Sequence, residues 1–136
     1  MSKKKQKLPP RPTDAELSIL RVLWQRGPGS VREILDWYNE ARDKGEAGYT
    51  TILKMLQIMT EKGLVERDDS QRPQIYRARL SEEQTQQQLI TDLLARAFGG
   101  SAKRLVMQAL ATKAASEKEL AQIEALLDRL EGGGAK

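Results

Sequence analysis

The sequence contains no cysteine and no histidine among its 136 residues. Without cysteine the chain can form no disulfide, and it lacks the thiolate nucleophile that many enzymes use. Without histidine it lacks the commonest general base and a common metal ligand. Carboxylates and lysines remain, but no segment has the carboxylate spacing of a calcium-binding loop. The sequence therefore predicts that the protein is not an enzyme and that it needs no metal or other cofactor.

Long apolar runs are also missing. The longest are a few residues, whereas a membrane-spanning helix needs about 20. No apolar stretch follows the N-terminal lysines, so no secretory signal is expected. Charged residues make up 31% of the chain and hydrophobic residues 39%, a composition typical of soluble globular proteins. We expect a cytoplasmic protein that does not insert into a membrane.

The positive charge is concentrated in the first part of the chain. Residues 1–80 contain 16 Lys/Arg and 11 Asp/Glu, whereas residues 81–136 contain 7 and 8. A basic N-terminal part is expected if that part meets a polyanion such as DNA. Residues 1–12, with five cations and three prolines, are predicted to form a flexible basic arm that either contacts phosphate or only aids solubility.

Four segments have the capping-box pattern, in which a hydroxyl side chain precedes Glu or Gln by three residues. They begin at Thr13, Ser30, Ser81 and Ser116. Apolar periodicity and glycines then predict helices over about 14–26, 30–44 and 49–63, with the apolar stripe of the first formed by Leu17, Leu20, Leu23 and Trp24.

After Gly63 the pattern changes to two short strands. They are predicted at 64–67 and 74–80, joined by a polar turn. The fold class is therefore mainly α with a small β-hairpin: a winged helix-turn-helix domain followed by a C-terminal helical dimerisation region. The predicted boundaries are 13–80 for the DNA-binding domain, 81–131 for the helical region and 132–136 for a frayed tail.

The third helix has the side chains expected of a DNA-reading helix. Ile52, Leu56 and Met59 recur at spacings of four and three and predict the core face. The opposite face carries hydroxyls and longer donors suited to base edges and phosphates. A solvated polar surface is the competing interpretation. The predicted DNA-binding residues are Tyr49, Thr50, Thr51, Lys54 and Gln57.

The predicted hairpin carries several arginines. Arg72 lies at or near its tip, where a wing meets the phosphate backbone, and is predicted to bind DNA. For Arg77 and Arg79, phosphate contact and protection of the strand edge are equally good interpretations.

The last helix has an apolar stripe with spacings of three, four and three. This is the spacing of a helix–helix seam, although it extends over barely two heptads. Packing within the same chain is the alternative, but this small segment has little else to bury against. We therefore predict a homodimer interface at Leu120, Ile123, Leu127 and Leu130.

Several segments resemble the penicillinase-repressor family (BlaI/MecI type). They are residues 13–20 with 22–24, then 49–56, then 62–65, followed by Tyr76, Gly99-Gly100 and Leu105-Val106. The resemblance covers roughly residues 12 to 130, and the block at 49–56 is its most specific part. It implies a homodimeric repressor that binds a double-stranded DNA operator with dyad symmetry, with Thr50, Thr51 and Lys54 in the recognition helix.

The resemblance also implies a route of release. Family members often answer to a membrane-bound sensor with a metalloprotease domain, which leads to cleavage in the dimerisation region. In antibiotic-resistance members the cleavage motif is Asn-Phe, whereas the aligned position here is Gln108-Ala109. A copper-responsive branch uses a C-terminal cysteine cluster, which this chain lacks. Gln108-Ala109 is thus the candidate cleavage position.

Three other functions compete with the repressor hypothesis. A MarR-like ligand-controlled regulator would need an apolar pocket at the dimer junction. A winged-helix adaptor would bind protein and not DNA. A carboxylate-based enzyme has no support, because the acidic pairs lie at turns or helix starts where solvent or capping explains them. Salt-dependent binding to bulk duplex DNA separates a DNA-binding protein from an adaptor.

Overall fold

Local capping signals determine where four of the helices begin. The computed structural model of the protein describes residues 8–42, 45–112 and 116–134. In it, the Thr13 and Ser30 hydroxyls each accept a bond of 3.2 Å from the backbone N–H three residues later. The carboxylate of the Glu at that position accepts a bond of 2.9 Å from the backbone N–H of the Thr or Ser. Ser81 and Ser116 do the same with Gln84 and Glu119. All four predicted capping boxes are confirmed.

The described residues form helices and one antiparallel hairpin. The sequence prediction of a mainly α chain with three helices, a hairpin and further helices is confirmed, and the first helix has the predicted bounds. In chain order the elements are α1 (Asp14–Arg26), α2 (Val31–Glu40), α3 (Tyr49–Lys62), β1 (Val65–Asp68), β2 (Ile75–Ala78), α4 (Glu82–Ala97), α5 (Ala102–Thr112) and α6 (Glu117–Gly134).

The second helix is shorter than predicted. It ends at Glu40 and not near residue 44; residues 43 and 44 lie outside the described residues. The cause is a side chain near its end: Asn39 accepts a hydrogen bond of 2.8 Å from the Ala47 N–H and donates one of 3.1 Å to the Ala47 carbonyl. An Asn side chain that bonds backbone in this way offers an alternative to further helical bonds, and it fixes the connection to α3.

The core of the first three helices and the hairpin is apolar and closely packed. Its largest fully buried side chains come from α1, α2, α3 and both strands: Tyr76, Ile19, Leu20, Ile34, Ile52, Leu56, Met59 and Val65. The predicted stripe of α1 omitted Ile19 and Val22, which are buried, whereas Leu17 and Trp24 are half-buried. The difference arises because α1 packs against both α2 and β2, so a wider face is covered.

The hairpin is joined by a third backbone segment. Val65 pairs with Ala78 and Asp68 with Ile75, so each strand is shifted or shortened relative to its prediction. The Leu64 N–H is used to cap α3, through a 2.9 Å bond to the Met59 carbonyl. On the other side of β2, Gly29 exchanges backbone bonds of 3.0 and 2.8 Å with Tyr76. The turn between α1 and α2 is therefore anchored to the wing.

Part of the predicted basic arm packs against α4. Pro9 and Pro12 are buried, and the Pro9 carbonyl accepts a hydrogen bond of 2.7 Å from Gln88 Nε2 on α4. Pro9 therefore lies against α4 and near Gly63, whereas the flexibility of the arm stays a prediction. Residues 1–7 lie outside the described residues.

The chain divides into two compact units after Ile90. The first unit reaches past the predicted domain boundary at residue 80, because Thr85 on the first part of α4 is buried. In the second unit, none of the residues whose exposure is described is buried. The bond from Gly100 N–H to the Leu94 carbonyl, 2.8 Å long, ends α4 at the predicted glycine pair.

The last helix extends further than predicted. α6 continues to Gly134, through part of the segment 132–136 that was predicted to be frayed. Once a helix has formed, each further residue adds one hydrogen bond, so glycines directly after an established helix can continue it. Residues 135 and 136 lie outside the described residues.

Candidate nucleic-acid interface

The third helix presents one face to the core and the other to solvent. Ile52, Leu56 and Met59 are completely buried, which fixes the rotation of α3 about its axis. Its outward side chains are consequently exposed. They include the five residues predicted from the sequence to bind DNA: Tyr49, Thr50, Thr51, Lys54 and Gln57. The structure thus places all five on accessible surface around the first two and a half turns.

The N-terminus of α3 differs from the other helix starts. Its N-cap is Gly48, which has no side chain and makes no side-chain cap bond. Every other helix in the described ranges has a hydroxyl cap, including Ser101 at α5. The first backbone N–H groups of a helix carry partial positive charge and bind anions readily. At α3 no N-cap side chain satisfies these donors.

A groove connects the start of α3 to the wing. It has a volume of about 380 Å³, and it brings together Tyr49 and Arg72, which the sequence had assigned separately to the helix and to the wing. The groove also includes a residue that sequence reasoning missed: the Arg32 guanidinium lies 5.3 Å from the centre of the Tyr49 ring. The lining residues are Ser30, Val31, Arg32, Tyr49, Leu53, Arg72, Pro73 and Gln74.

Arg72 lies in the turn of the wing and is exposed. Its Nη1 donates to the backbone carbonyls of Asp69, at 3.0 Å, and Gln71, at 3.4 Å. These bonds hold one terminal guanidinium nitrogen, Nη1, against the turn that contains Arg72. Arginine has five N–H donors in a fixed fork, so the group can bind a phosphate from this position.

The other two predicted wing cations differ in their surroundings. Arg79 Nη1 donates a 3.3 Å bond to the Gly63 carbonyl, just after the end of α3, which favours a structural role for this residue. Arg77 is exposed on β2, with its Nη2 3.9 Å from Asp68 Oδ2.

Asp68 fixes the shape of the wing turn. Its carboxylate accepts hydrogen bonds from the Ser70 N–H at 2.9 Å, from the Ser70 hydroxyl at 2.6 Å and from Gln71 Nε2 at 3.0 Å. Because these donors stabilise the charged form, the Ser70 hydroxyl foremost, the pKa of Asp68 is lowered to about 2. The turn is therefore held by a carboxylate that remains ionised throughout the physiological range.

An ion pair connects the end of α3 to the start of α1. Lys62 Nζ lies 2.7 Å from Glu16 Oε2, and the Glu16 side chain is only 7% exposed. Burial raises the pKa of Glu16, but the hydrogen bonds from Lys62 and Thr13 outweigh it, so the pKa lies below its ordinary value. The pair thus links the C-terminal end of α3 to the first turn of α1.

The relationship of the chain to known proteins agrees with this geometry. The family model described as penicillinase repressor matches residues 12–129. The chain belongs to the penicillinase repressor family. It is accordingly a DNA-binding transcriptional regulator, and the resemblance found in the sequence is confirmed.

Several solved structures are similar to this chain. The crystal structure of the transcriptional regulator PA4135 has a TM-score of 0.43 and 17% sequence identity, over 89% of this chain and 78% of that one. The comparison with curated proteins gave no match. In the ranges that the structure describes, no helix is long and apolar enough to cross a membrane.

In this penicillinase repressor homologue, the residues predicted for dimerisation and cleavage lie on the last two helices. Leu120 is 39% exposed and Ile123 is half-buried; the side chains of Leu127 and Leu130 lie outside what the structure describes. Gln108 and Ala109 are both exposed on α5. The Gln108 carbonyl also accepts a 2.8 Å bond from the Thr112 hydroxyl, so the candidate cleavage position lies within regular helix.

Proposed function

We propose that the protein is a sequence-specific transcriptional repressor that binds a pseudo-palindromic operator as a homodimer. The observation that carries the proposal is the outward face of α3. Thr50, Thr51, Lys54 and Gln57 are exposed together on a helix whose opposite face is fully buried. Side chains presented in this way can contact base edges without a further cost of ordering the backbone, because the helix itself is already fixed.

In the proposed complex, α3 enters the major groove with its N-terminus foremost. The groove is about 12 Å wide and admits one helix. Lys54 and Gln57 then act as donors to base acceptors, and a Thr methyl can contact thymine. The uncapped N–H groups after Gly48 bind a phosphate at the groove edge. Arg72 on the wing binds the backbone of the same duplex, which orients the domain without reading sequence.

The homodimer is proposed from the apolar side chains of the second unit. Leu93, Met107, Leu120 and Leu126 are between 39% and 61% exposed in the single chain. A second copy that covered these side chains would remove apolar area from water, which is favourable. Two-fold symmetry would then present two copies of α3 to half-sites one or more turns of DNA apart.

Release from DNA is proposed to act on the second unit. A dimer holds two half-sites through one tether, so separating the subunits weakens binding without changing the DNA-reading surface. Cleavage at Gln108-Ala109, by a protease controlled by a membrane sensor and with a side-chain preference other than Asn-Phe, would have this effect. Because this position is helical, local unfolding of α5 must precede cleavage.

Duplex binding measured against salt tests the proposal. Several phosphate contacts in each subunit predict a loss of about a thousandfold in affinity between roughly 50 and 200 mM salt. Selection from a random duplex pool should yield a pseudo-palindrome. Lys54→Ala should weaken binding to the selected duplex more than to bulk DNA, whereas Arg72→Ala should weaken both alike. Lys118→Ala, which removes the same charge from α6, is the control. Binding that does not depend on salt would contradict the proposal.

A further inference from the structure

The wing carries a carboxylate directly beside one of its arginines. Arg67 Nε lies 2.6 Å from Asp69 Oδ1, and Arg67 Nη2 donates a 3.4 Å hydrogen bond to Asp69 Oδ2. Two guanidinium nitrogens thus contact the two oxygens of one acidic group, which is also how arginine binds a phosphate. A DNA phosphate and Asp69 would therefore compete for the same donors.

The Arg67–Asp69 pair lies in solvent and is open to exchange. The side chains are 37% and 58% exposed, and exposed ion pairs contribute little net stability because water competes for both partners. The Asp69 carboxylate is not needed to form the turn, since the Asp68 carboxylate accepts the hydrogen bonds from Ser70 and Gln71. In agreement with the geometry, the pKa of Arg67 is raised, first of all by its hydrogen bond to Asp69.

We propose that Asp69 acts as a built-in counter-ion, which occupies Arg67 in the unbound protein and is displaced when Arg67 contacts a DNA phosphate. The inference rests on the proposed DNA-binding function and adds an affinity-setting residue to it. The cost of displacement falls on phosphate contact, the sequence-independent part of binding. The base-reading side chains of α3 are unaffected. Asp69 therefore lowers the affinity of the protein for bulk duplex DNA.

A double-mutant cycle on bulk duplex DNA tests this role. The full-length wild-type protein, Asp69→Asn, Arg67→Gln and the double variant are titrated by fluorescence anisotropy at several salt concentrations. Asp69→Asn should bind about two- to fivefold more tightly per subunit. Its log–log salt slope should steepen by up to about 0.9, because no displaced carboxylate then takes up a cation from solution. Arg67→Gln alone should weaken binding by less than about twofold, since the lost phosphate contact is offset by the Asp69 ion pair that no longer has to be broken.

The decisive measurement is the double variant, which should bind like Arg67→Gln. Asp36→Asn, at an exposed position on α2, makes the same change in net charge and should give no comparable increase in affinity. The inference is overturned if Asp69→Asn gives no increase, if Asp36→Asn gives an equal one, or if the increase persists without Arg67. A wild-type protein that shows no salt-dependent binding would instead overturn the proposed function, so the two failures are distinguishable.

Discussion

The two compact units of the chain differ in what they bury. Among the described residues, the first contains fourteen buried hydrophobic side chains from three helices and the hairpin. The second consists of helices alone, and no residue described there is buried. Apolar burial is the main favourable term in folding. The first unit therefore has a buried apolar core of its own, whereas the described residues of the second leave their apolar side chains partly or wholly exposed in the single chain.

Substitution of one apolar residue in each unit is expected to give the largest difference. Leu56→Ala removes a fully buried side chain and should lower the free energy of unfolding by about 2–5 kcal/mol, because it loses apolar burial and leaves a cavity. Met107→Ala, at a side chain that is 61% exposed in the single chain, should change it by less than about 0.5 kcal/mol at concentrations where the protein is monomeric. Urea unfolding followed by circular dichroism measures both, and equal losses would remove the distinction.

A charge placed in the predicted seam of α6 tests the second half of the comparison. Ile123→Asp should weaken dimerisation by about 3 kcal/mol, roughly a hundredfold, because an unpaired carboxylate would be buried between subunits. Leu127→Asp should act in the same direction. Gln122→Asp, on the exposed neighbouring position, is the matched control and should have little effect. Analytical ultracentrifugation gives the dissociation constants; an intact dimer in both seam variants would show that the interface lies elsewhere.

The partly buried ion pair of the first unit, Glu16–Lys62, predicts a pH dependence of stability. The pKa of Glu16 is lowered in the folded state. Its contribution is therefore fully present above the ordinary glutamate pKa, 4.5, and is lost as the pH falls through the lower folded value. Glu16→Gln should lower the free energy of unfolding at pH 7 by about 1–2 kcal/mol, since Lys62 loses its partner.

The same variant should flatten the acid side of the stability profile. Asp14→Asn, an exposed first-turn carboxylate on the same helix, is the control for loss of one negative charge. Thermal unfolding between about pH 3 and pH 7 supplies the comparison. A wild-type profile that coincides in shape with the Glu16→Gln profile would show that the ion pair does not contribute.

The smallest expected effect comes from the helix caps. Thr13→Ala should destabilise the first unit by about 1 kcal/mol, because it leaves a backbone donor of α1 without its bond. Thr13→Ser keeps the hydroxyl and should retain most of the stability of the wild-type protein. Ser116→Ala removes the same kind of cap from α6, and its effect should appear mainly as lower helicity of the monomer. Far-ultraviolet circular dichroism across a dilution series separates the two responses. If Thr13→Ala and Ser116→Ala changed the helicity alike at every concentration, the predicted difference between the two units would be contradicted.

Features that depend on neighbouring residues in the chain could be predicted from the sequence. The four capping boxes, the glycine after α3 and the two faces of α3 rest on spacings of three or four residues, and the structure has each of them. The end of α2 could not be predicted, because the Asn39–Ala47 bonds that fix it join a helix to a loop. The packing of Pro9 was missed since its partner Gln88 is remote in sequence.

The candidate site shows the same division. Helical periodicity was enough to place Lys54 and Gln57 on the accessible face, because burial of one face of a helix leaves the opposite face exposed. Arg32 was not predicted, since its position over the Tyr49 ring requires two helices to be packed at a particular angle. The pairing of Arg67 with Asp69 was likewise outside sequence reasoning, because alternation along a strand gives the face of a side chain and not its partner.

The backbone pairing of Gly29 with Tyr76 has a consequence for how the chain folds as it is synthesised. Tyr76 is among the largest fully buried side chains, and its backbone is the partner of the turn between the first two helices. The three helices can form locally as they emerge from the ribosome, but the domain cannot close until Tyr76 has followed them. Closure then joins distant parts of the chain, a contact of the kind that slows folding. The hairpin is thus made after the three helices and completes the apolar core that it shares with them.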